Sequence, residues 1–222
     1  MHPWYLLPMM KSEANSSLPG VVEKSNMKTK PWRRLWHLLG GSFFPVLAFF
    51  VPKGALLITV GAMTGVFVAW EIARLNNAKV NKWMASNLRV ILKDEERYRP
   101  TGTTCLLLSS LAVFLFFDKY VAITSLLFVS IGDLMATVIG EEYGRQMLFN
   151  NKTLEGSLAC LASCLLIGML MSRISPSMAL EVAMVGAVSA TIIELLPIPV
   201  DDNLTIPLLS AGAMMLTTFY SV

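Results

Sequence analysis

"IGDLMATVIGEEYGR", residues 131–145, decides how this chain is read. From Tyr120 to Ile139 the sequence is almost wholly apolar, with a few hydroxyls and a single charge, Asp133. An ionised carboxylate on a lipid-facing helix costs ~3 kcal/mol on insertion scales. Asp133 lies about two helical turns, ~10 Å, from the end of its apolar run at Ile139–Gly140. A residue that expensive is expected to mark a site.

The rest of the chain repeats the pattern. Seven apolar segments can be counted: Leu35–Val51, Gly54–Ala73, Thr103–Phe117, Tyr120–Ile139, Ser157–Met171, Met178–Leu196 and Leu204–Val222. A bilayer span needs ~20 residues, so the short third and fifth are expected to extend into polar flanks. Of 222 residues 55% are hydrophobic and only 15% charged, with a mean hydropathy of +0.59. Ordinary soluble domains are about a quarter charged. The expectation is an all-α, polytopic membrane protein of about seven spans, with a polar tail over residues 1–30 and one transmembrane catalytic domain over 31–222. A net charge of +3 without basic-aromatic stretches argues against nucleic acid. Cys105, Cys160 and Cys164 all lie in apolar runs and read as small packing residues.

Between Ala78 and Arg97, Val80, Trp83, Met84, Leu88 and Ile91 recur at helical spacing, with Lys79, Lys82, Arg89 and Lys93 opposite. That is one amphipathic helix lying in the headgroup region. Basic residues crowd the N-terminal tail, the second-to-third link and the fourth-to-fifth link, whereas Lys53, Lys119 and Arg173 stand singly on the other hairpins. The bias puts the N-terminus in the cytoplasm and the C-terminus on the opposite side.

With that orientation the polar residues near the membrane gather at one face: Arg33 and Arg34, Glu71 and Arg74, Asp133, Arg145, Lys152 to Glu155, Glu194, and Asp201 to Asn203. The set suits a polyphosphate. "NNKTLEGS" opens a helix whose free backbone N–H groups bind anions, and Lys152 adds a full charge there. Arg33, Arg34 and Arg145 suit further phosphate oxygens. Asp133, Asp201 and Asp202 suit magnesium, a hard cation that bridges carboxylates to phosphates. Plainer roles exist for several of these. Glu71 and Arg74, at i and i+3, suit a surface ion pair, Asp201 and Asp202 a turn, and Gly132 helix packing. No P-loop, G-x-G-x-x-G, H-E-x-x-H or G-x-S-x-G occurs.

In this order the motifs resemble the CTP-dependent polyprenol kinase family, which takes in dolichol kinases, phytol kinases and CTP-dependent diacylglycerol kinases. "RRLWHLLGG" is similar to its basic pair followed by histidine, "GDLMATVIGEEYGR" to its G-D-x-x-A-x-x-x-G-x-x-x-G-[RK] segment, "KTLEGSLA" to its K-[ST]-x-E-G-[ST] segment, and "ELLPIPVDDNLTIPL" to its acidic D-[DN]-N motif. The likeness runs from about Trp32 to Pro207. It implies transfer of the γ-phosphoryl group of CTP, with Mg2+, to the hydroxyl of a membrane lipid alcohol: a polyprenol, a phytol-like alcohol or diacylglycerol. Arg33, Arg34, Asp133 and Gly140 carry over as functional positions, then Lys152, Glu155, Asp202 and Asn203. Nucleotide or phosphate binding falls to Arg33, Arg34, Gly140, Arg145, Lys152, Thr153 and Asn203. The proton acceptor is Asp133, Glu155 or Glu71.

Phosphatidate cytidylyltransferases share the G-D…G-[RK]…K-[ST]-x-E-G core and imply CMP transfer instead. This chain departs from them in its shortness, in Leu134 after the aspartate, and in keeping the N-terminal "RR..H". An ion-coupled transporter with Asp133 and Glu194 at the midplane is the non-enzymatic alternative. It would call for polar residues continuing to the far face and for internal repeats, and the sequence has neither.

Overall fold

The computed structural model describes residues 31–87, 96, 98–148, 152–175 and 177–220. The expected tail over residues 1–30 lies outside them, as does residue 97 and the stretch 88–95 of the amphipathic helix. The helices in chain order are α1 (Pro31–Phe50), α2 (Lys53–Asn76), α3 (Ala78–Asn87), α4 (Gly102–Phe116), α5 (Lys119–Leu127), α6 (Leu134–Tyr143), α7 (Leu154–Ile174), α8 (Leu180–Leu195) and α9 (Asp202–Tyr220). Among the described residues the only extended pairing is an isolated bridge between Met147 and Thr153. The chain is all-α.

Three of these helical units are long and apolar enough to cross a membrane: α2 with 24 residues, Lys119–Tyr143 with 25 and α7 with 21. α4 is apolar but has only 15 residues. Helices also form at the first, sixth and seventh expected segments, but α1 opens on Arg33 and Arg34, α8 has 16 residues, and α9 starts on Asp202 and Asn203. The expected lengthening of the fifth segment is seen, since α7 runs three residues beyond each of its apolar ends. The exterior is greasy: Ile58, Phe116 and Phe219 are each more than 70% exposed. Pro45 and Pro207 sit inside α1 and α9 with buried rings.

The reversals alternate strictly. Pro52 separates α1 from α2, and Asp118 caps α5 by accepting from the Tyr120 N–H at 2.9 Å. Short links of this kind force antiparallel neighbours. The starts of α1, α4, α7 and α9 and the ends of α2, α6 and α8 therefore share one end of the bundle. Its middle is closed by Phe114, Ile123, Leu126, Phe128 and Met214, all essentially inaccessible. Buried hydroxyls bond back to their own helices, as Ser110 does to the Leu106 carbonyl at 2.7 Å and Ser130 to that of Leu126 at 2.7 Å. Such back-bonding satisfies a hydroxyl where no water reaches it.

Two local features set the position of Asp133. The first is a π-helical segment, Phe128–Asp133, which joins α5 to α6 without a break. Its wider turn is a known companion of functional sites. The second is a seam of small residues at fourfold spacing, Gly132, Ala136, Gly140 and Gly144, laid against α7. A Cβ on Gly132 would lie 2.5 Å from Cys164 Sγ, and one on Gly140 2.9 Å from Thr153 Oγ1. From the other side, a Cβ on Gly156 would lie 2.6 Å from the Ala136 carbonyl oxygen. Small residues at i and i+4 let two backbones approach closely in this way. The cysteines are free and buried, in keeping with a packing role.

α3 is amphipathic with a different division from the one expected. Lys79, Lys82 and Trp83 share the exposed stripe, while Met84 is buried. At about 100° per residue, Trp83 falls closer to Lys79 than to Met84.

Candidate functional site

Lys152 is fixed before it meets any charge. Its carbonyl accepts from the Leu148 N–H at 2.8 Å, and the Leu154 N–H donates to the Gln146 carbonyl at 2.9 Å, so the strand-like pairing holds the chain just ahead of α7. From there the Lys152 Nζ donates to Glu194 Oε1 at 2.6 Å and to Asp202 Oδ2 at 3.4 Å. Burial works against its charge, but Asp202, Glu194 and Asp133 together raise its pKa well above the ordinary lysine range. Residues 133, 152, 194 and 202, from four helices or their flanks, thus form one electrostatic group. Glu194 is only 1% exposed, and its Oε2 has no partner among the described residues.

Asp133 meets α1 on its other side. His37 Nε2 donates to the Val129 carbonyl inside the π segment at 3.1 Å and stands 3.6 Å from Asp133 Oδ2. Because Val129 offers only an acceptor, the hydrogen sits on Nε2. α1 comes this close because Gly41 abuts Ser130, where a Cβ would lie 2.5 Å from the serine Cβ.

A cavity of about 570 Å³ opens between α1, α2 and α4. Phe43, Phe44, Met63 and Phe67 line its apolar part, and Arg33, His37, Glu96 and Asn203 its polar end. Trp36, Phe43 and Trp70 line it and are still 40–51% exposed, so it opens sideways onto the outer surface of the bundle. His37 therefore faces both the cavity and Asp133. Asn203 faces it beside Asp202. Its Nδ2 donates to Asp201 Oδ1 at 2.7 Å, which turns the amide oxygen away from that carboxylate, and the oxygen is buried without a partner. Burial pushes the Glu96 carboxyl up from its ordinary range, while the Gly102 N–H and Arg33 act the other way.

The remaining expected residues are dispersed. Arg34 is ion-paired with Glu141 on α6. Arg145 and Glu155 line a separate recess of about 370 Å³. Glu155 accepts from the Gln146 N–H at 3.3 Å. Asp201 caps α9, accepting from the Asn203 N–H at 3.0 Å. Among the described residues no three carboxylate, His or Cys side chains are placed to hold a metal ion, so Asp133, Asp201 and Asp202 do not form one ligand set. Glu71 lies in a different network. One oxygen pairs with Arg74, and the other accepts from the Thr101 N–H at 2.7 Å and the Thr104 hydroxyl at 3.0 Å. Arg74 in turn donates to the Glu96 and Arg99 carbonyls at 2.9 and 2.8 Å. This pair is a buried clamp on the segment before α4, deeper than the surface pair its spacing suggested.

The start of α7 is also not the open anion cradle expected from "NNKTLEGS". The Leu154 N–H is taken by Gln146, and the Gly156 N–H donates to Thr153 Oγ1 at 3.1 Å. Thr153 is an N-cap residue and fills its own helix end. Gly140 packs against Thr153 and Gly156, which gives it a packing role. Two residues left out of the expected kinase site, His37 and Glu194, turn out to be central. His37 carried a signal: it follows Arg33 and Arg34 by one turn.

No family model matches the chain, and no solved structure matches it. It is similar to an uncharacterized protein of Rickettsia prowazekii (strain Madrid E), 26% identical over 182 residues that cover 79% of this chain and 88% of the relative.

Proposed function

We propose that the chain is a CTP-dependent kinase of a membrane lipid alcohol. One observation carries this reading: a laterally open apolar cavity and a buried charged group meet at His37, which lines the first and lies 3.6 Å from Asp133 of the second. Phosphoryl transfer to a lipid needs that junction, with a polar end for phosphates and a greasy one for the acceptor. The transfer itself depends on positioning and charge neutralisation more than on covalent chemistry by the protein. Lys152 is the phosphate-binding cation, exchanging its weak contact with Asp202 for a phosphate oxygen while Glu194 keeps hold of it. Asp133 is the proton acceptor or metal ligand. Mg2+ commonly binds through one or two carboxylates plus the substrate's phosphates, so a protein-built triad is not required. Asp133 and Asp202 would hold it, and it would neutralise phosphate charge.

In this reading the seven hydrophobic segments all cross the bilayer, and the exposed apolar residues of α1 and α9, such as Leu39, Phe50 and Phe219, face lipid. α3 lies at the interface, and the charged end is cytoplasmic. Cysteines placed at Lys152 and Asp202 label from the cytoplasmic side only, and one at Lys53 from the other side only. The deciding assay is purified protein with γ-labelled CTP and a panel of lipid alcohols. A kinase leaves CDP and a lipid carrying the label. Pyrophosphate and a cytidine-bearing lipid, with phosphatidic acid as acceptor, would establish cytidylyl transfer instead.

A further inference from the structure

The carboxylate of Asp133 has no hydrogen bond of its own among the described residues, and its side chain is 21% exposed. Its direction therefore comes from the backbone that carries it. We propose that His37 is the positioning residue for Asp133: its bond to the Val129 carbonyl holds the π turn in the form that turns the carboxylate toward the Lys152 group. This rests on the lipid-kinase reading and adds a residue to its machinery.

Three observations support the assignment. The first is a difference between two contacts of one nitrogen. His37 Nε2 stands 3.1 Å from the Val129 carbonyl, within hydrogen-bond range, and 3.6 Å from Asp133 Oδ2, outside it. The imidazole grips the backbone and leaves both carboxylate oxygens for the reaction. The second is where the grip falls. The π turn returns to α spacing at Leu134, whose N–H donates to the Ile131 carbonyl. The Val129 carbonyl, five residues before Leu134, takes the imidazole hydrogen. A side-chain donor from a neighbouring helix satisfies an irregular turn and fixes it in place. The third is the approach of α1. Gly41 lies against Ser130, the residue after Val129, where a Cβ would come within 2.5 Å of the serine Cβ. His37 and Gly41, one turn apart on α1, thus press on consecutive residues of the π turn. The rival role for His37, which also lines the cavity, is a direct part in the chemistry through Nδ1.

His37→Gln separates the two, because the glutamine amide keeps a donor near the place of Nε2 and loses the Nδ1 acceptor. His37→Ala removes both. The full chain is purified in detergent, and hydrogen exchange of the peptide spanning 128–134 is measured without nucleotide or acceptor. Exchange is expected to be about tenfold faster or more in His37→Ala and within about twofold of wild type in His37→Gln. Turnover is then read with γ-labelled CTP, magnesium and a prenol or a diacylglycerol as acceptor. In His37→Ala it is expected to fall roughly a hundredfold with KM for CTP within about twofold, the cost of misplacing a reacting group by about an ångström. In His37→Gln it is expected to stay within about tenfold of wild type. Gly41→Ala, which pushes α1 off Ser130 and leaves the imidazole in place, is expected to follow His37→Ala in both readings. Unchanged exchange in His37→Ala overturns the proposal. Wild-type exchange in His37→Gln with turnover as low as in His37→Ala also overturns it and puts His37 itself in the chemistry. Because exchange is read without CTP, the expected exchange pattern without γ-label transfer by the wild type would remove the kinase reading and leave the grip on the π turn standing.

Discussion

The α6–α7 seam and the α1–α2 cavity use glycine in opposite ways. On the seam, Gly132, Gly140, Gly144 and Gly156 each lie where a Cβ would come within 3.0 Å of a neighbouring atom. At the cavity, Gly40 on α1 faces open space, with no atom within 4 Å of an added Cβ. The first kind draws two helices together until backbone touches backbone. The second leaves room. Asp133 and Lys152 ride on the close-packed side, where the glycine-mediated approach of the π segment and α6 to α7 positions them. The side that would admit a ligand is the one where α1 leans on its neighbours at few points. Under the proposed function, reactive groups would ride on rigid elements and substrate on the open face, the arrangement that positioning chemistry needs.

The largest test of that contrast is on the seam. Gly156→Val drives a branched side chain into the Ala136 carbonyl, and overpacking against backbone exceeds the ~1–3 kcal/mol usual for a core. Little monodisperse protein is expected from size-exclusion chromatography in detergent. A normal yield with normal thermal unfolding would mean that the two helices can part, and the rigid side would not be rigid.

Next is Asp133→Asn, which keeps size and removes charge. Folding and insertion are expected to be intact, with turnover down roughly a hundredfold or more, about 3 kcal/mol of transition-state stabilisation. Near-normal turnover at saturating CTP and magnesium would displace the reaction centre from the π segment.

Glu71→Gln separates structure from chemistry. Removing one partner of a buried ion pair costs ~3–5 kcal/mol, so the expected effect is a large loss of stability with turnover per folded molecule retained. Retained stability with lost turnover would make Glu71 the proton acceptor. The smallest effect on activity is assigned to Lys152→Met: a KM for CTP raised about tenfold, on the order of one charge-assisted hydrogen bond, with kcat less affected and some stability lost because buried Glu194 is left without its cation. An unchanged KM would take Lys152 away from the phosphates.

Much of the fold was legible because apolar length and hairpin spacing are one-dimensional quantities. The boundaries of α7 and α9, for example, fall within three residues of the apolar segments that announced them. Charge clustering at one end also followed from strict alternation. Other features depended on partners that are distant in sequence. Nothing in "NNKTLEGS" says that Gln146 and Thr153 will occupy the α7 N–H groups, since that requires the hairpin over 146–154. The expected magnesium triad joined residues by type, and the structure divides them by direction: Asp201 turns to Asn203, Asp202 to Lys152, Asp133 to His37. Trp83 was grouped with Met84 by hydrophobicity, although helical rotation sets it with the lysines. Glu194 stood out as an acid near the end of an apolar segment, but only packing reveals its burial against Lys152.

The π segment has a consequence for how the sequence can drift. An α-helix turns about 100° per residue, and a π turn takes up one residue more than its α counterpart. Everything after Asp133 is therefore indexed to a frame set by Phe128–Asp133. Losing one residue there would let the π turn close into an α turn with the flanking faces still in register, whereas losing one elsewhere between Lys119 and Tyr143 would rotate the glycine ridge about 100° off α7. Gaining one elsewhere in α5 would do the same from the other direction. Length between Lys119 and Tyr143, outside the π turn, is thus under a restraint that side-chain identity does not record.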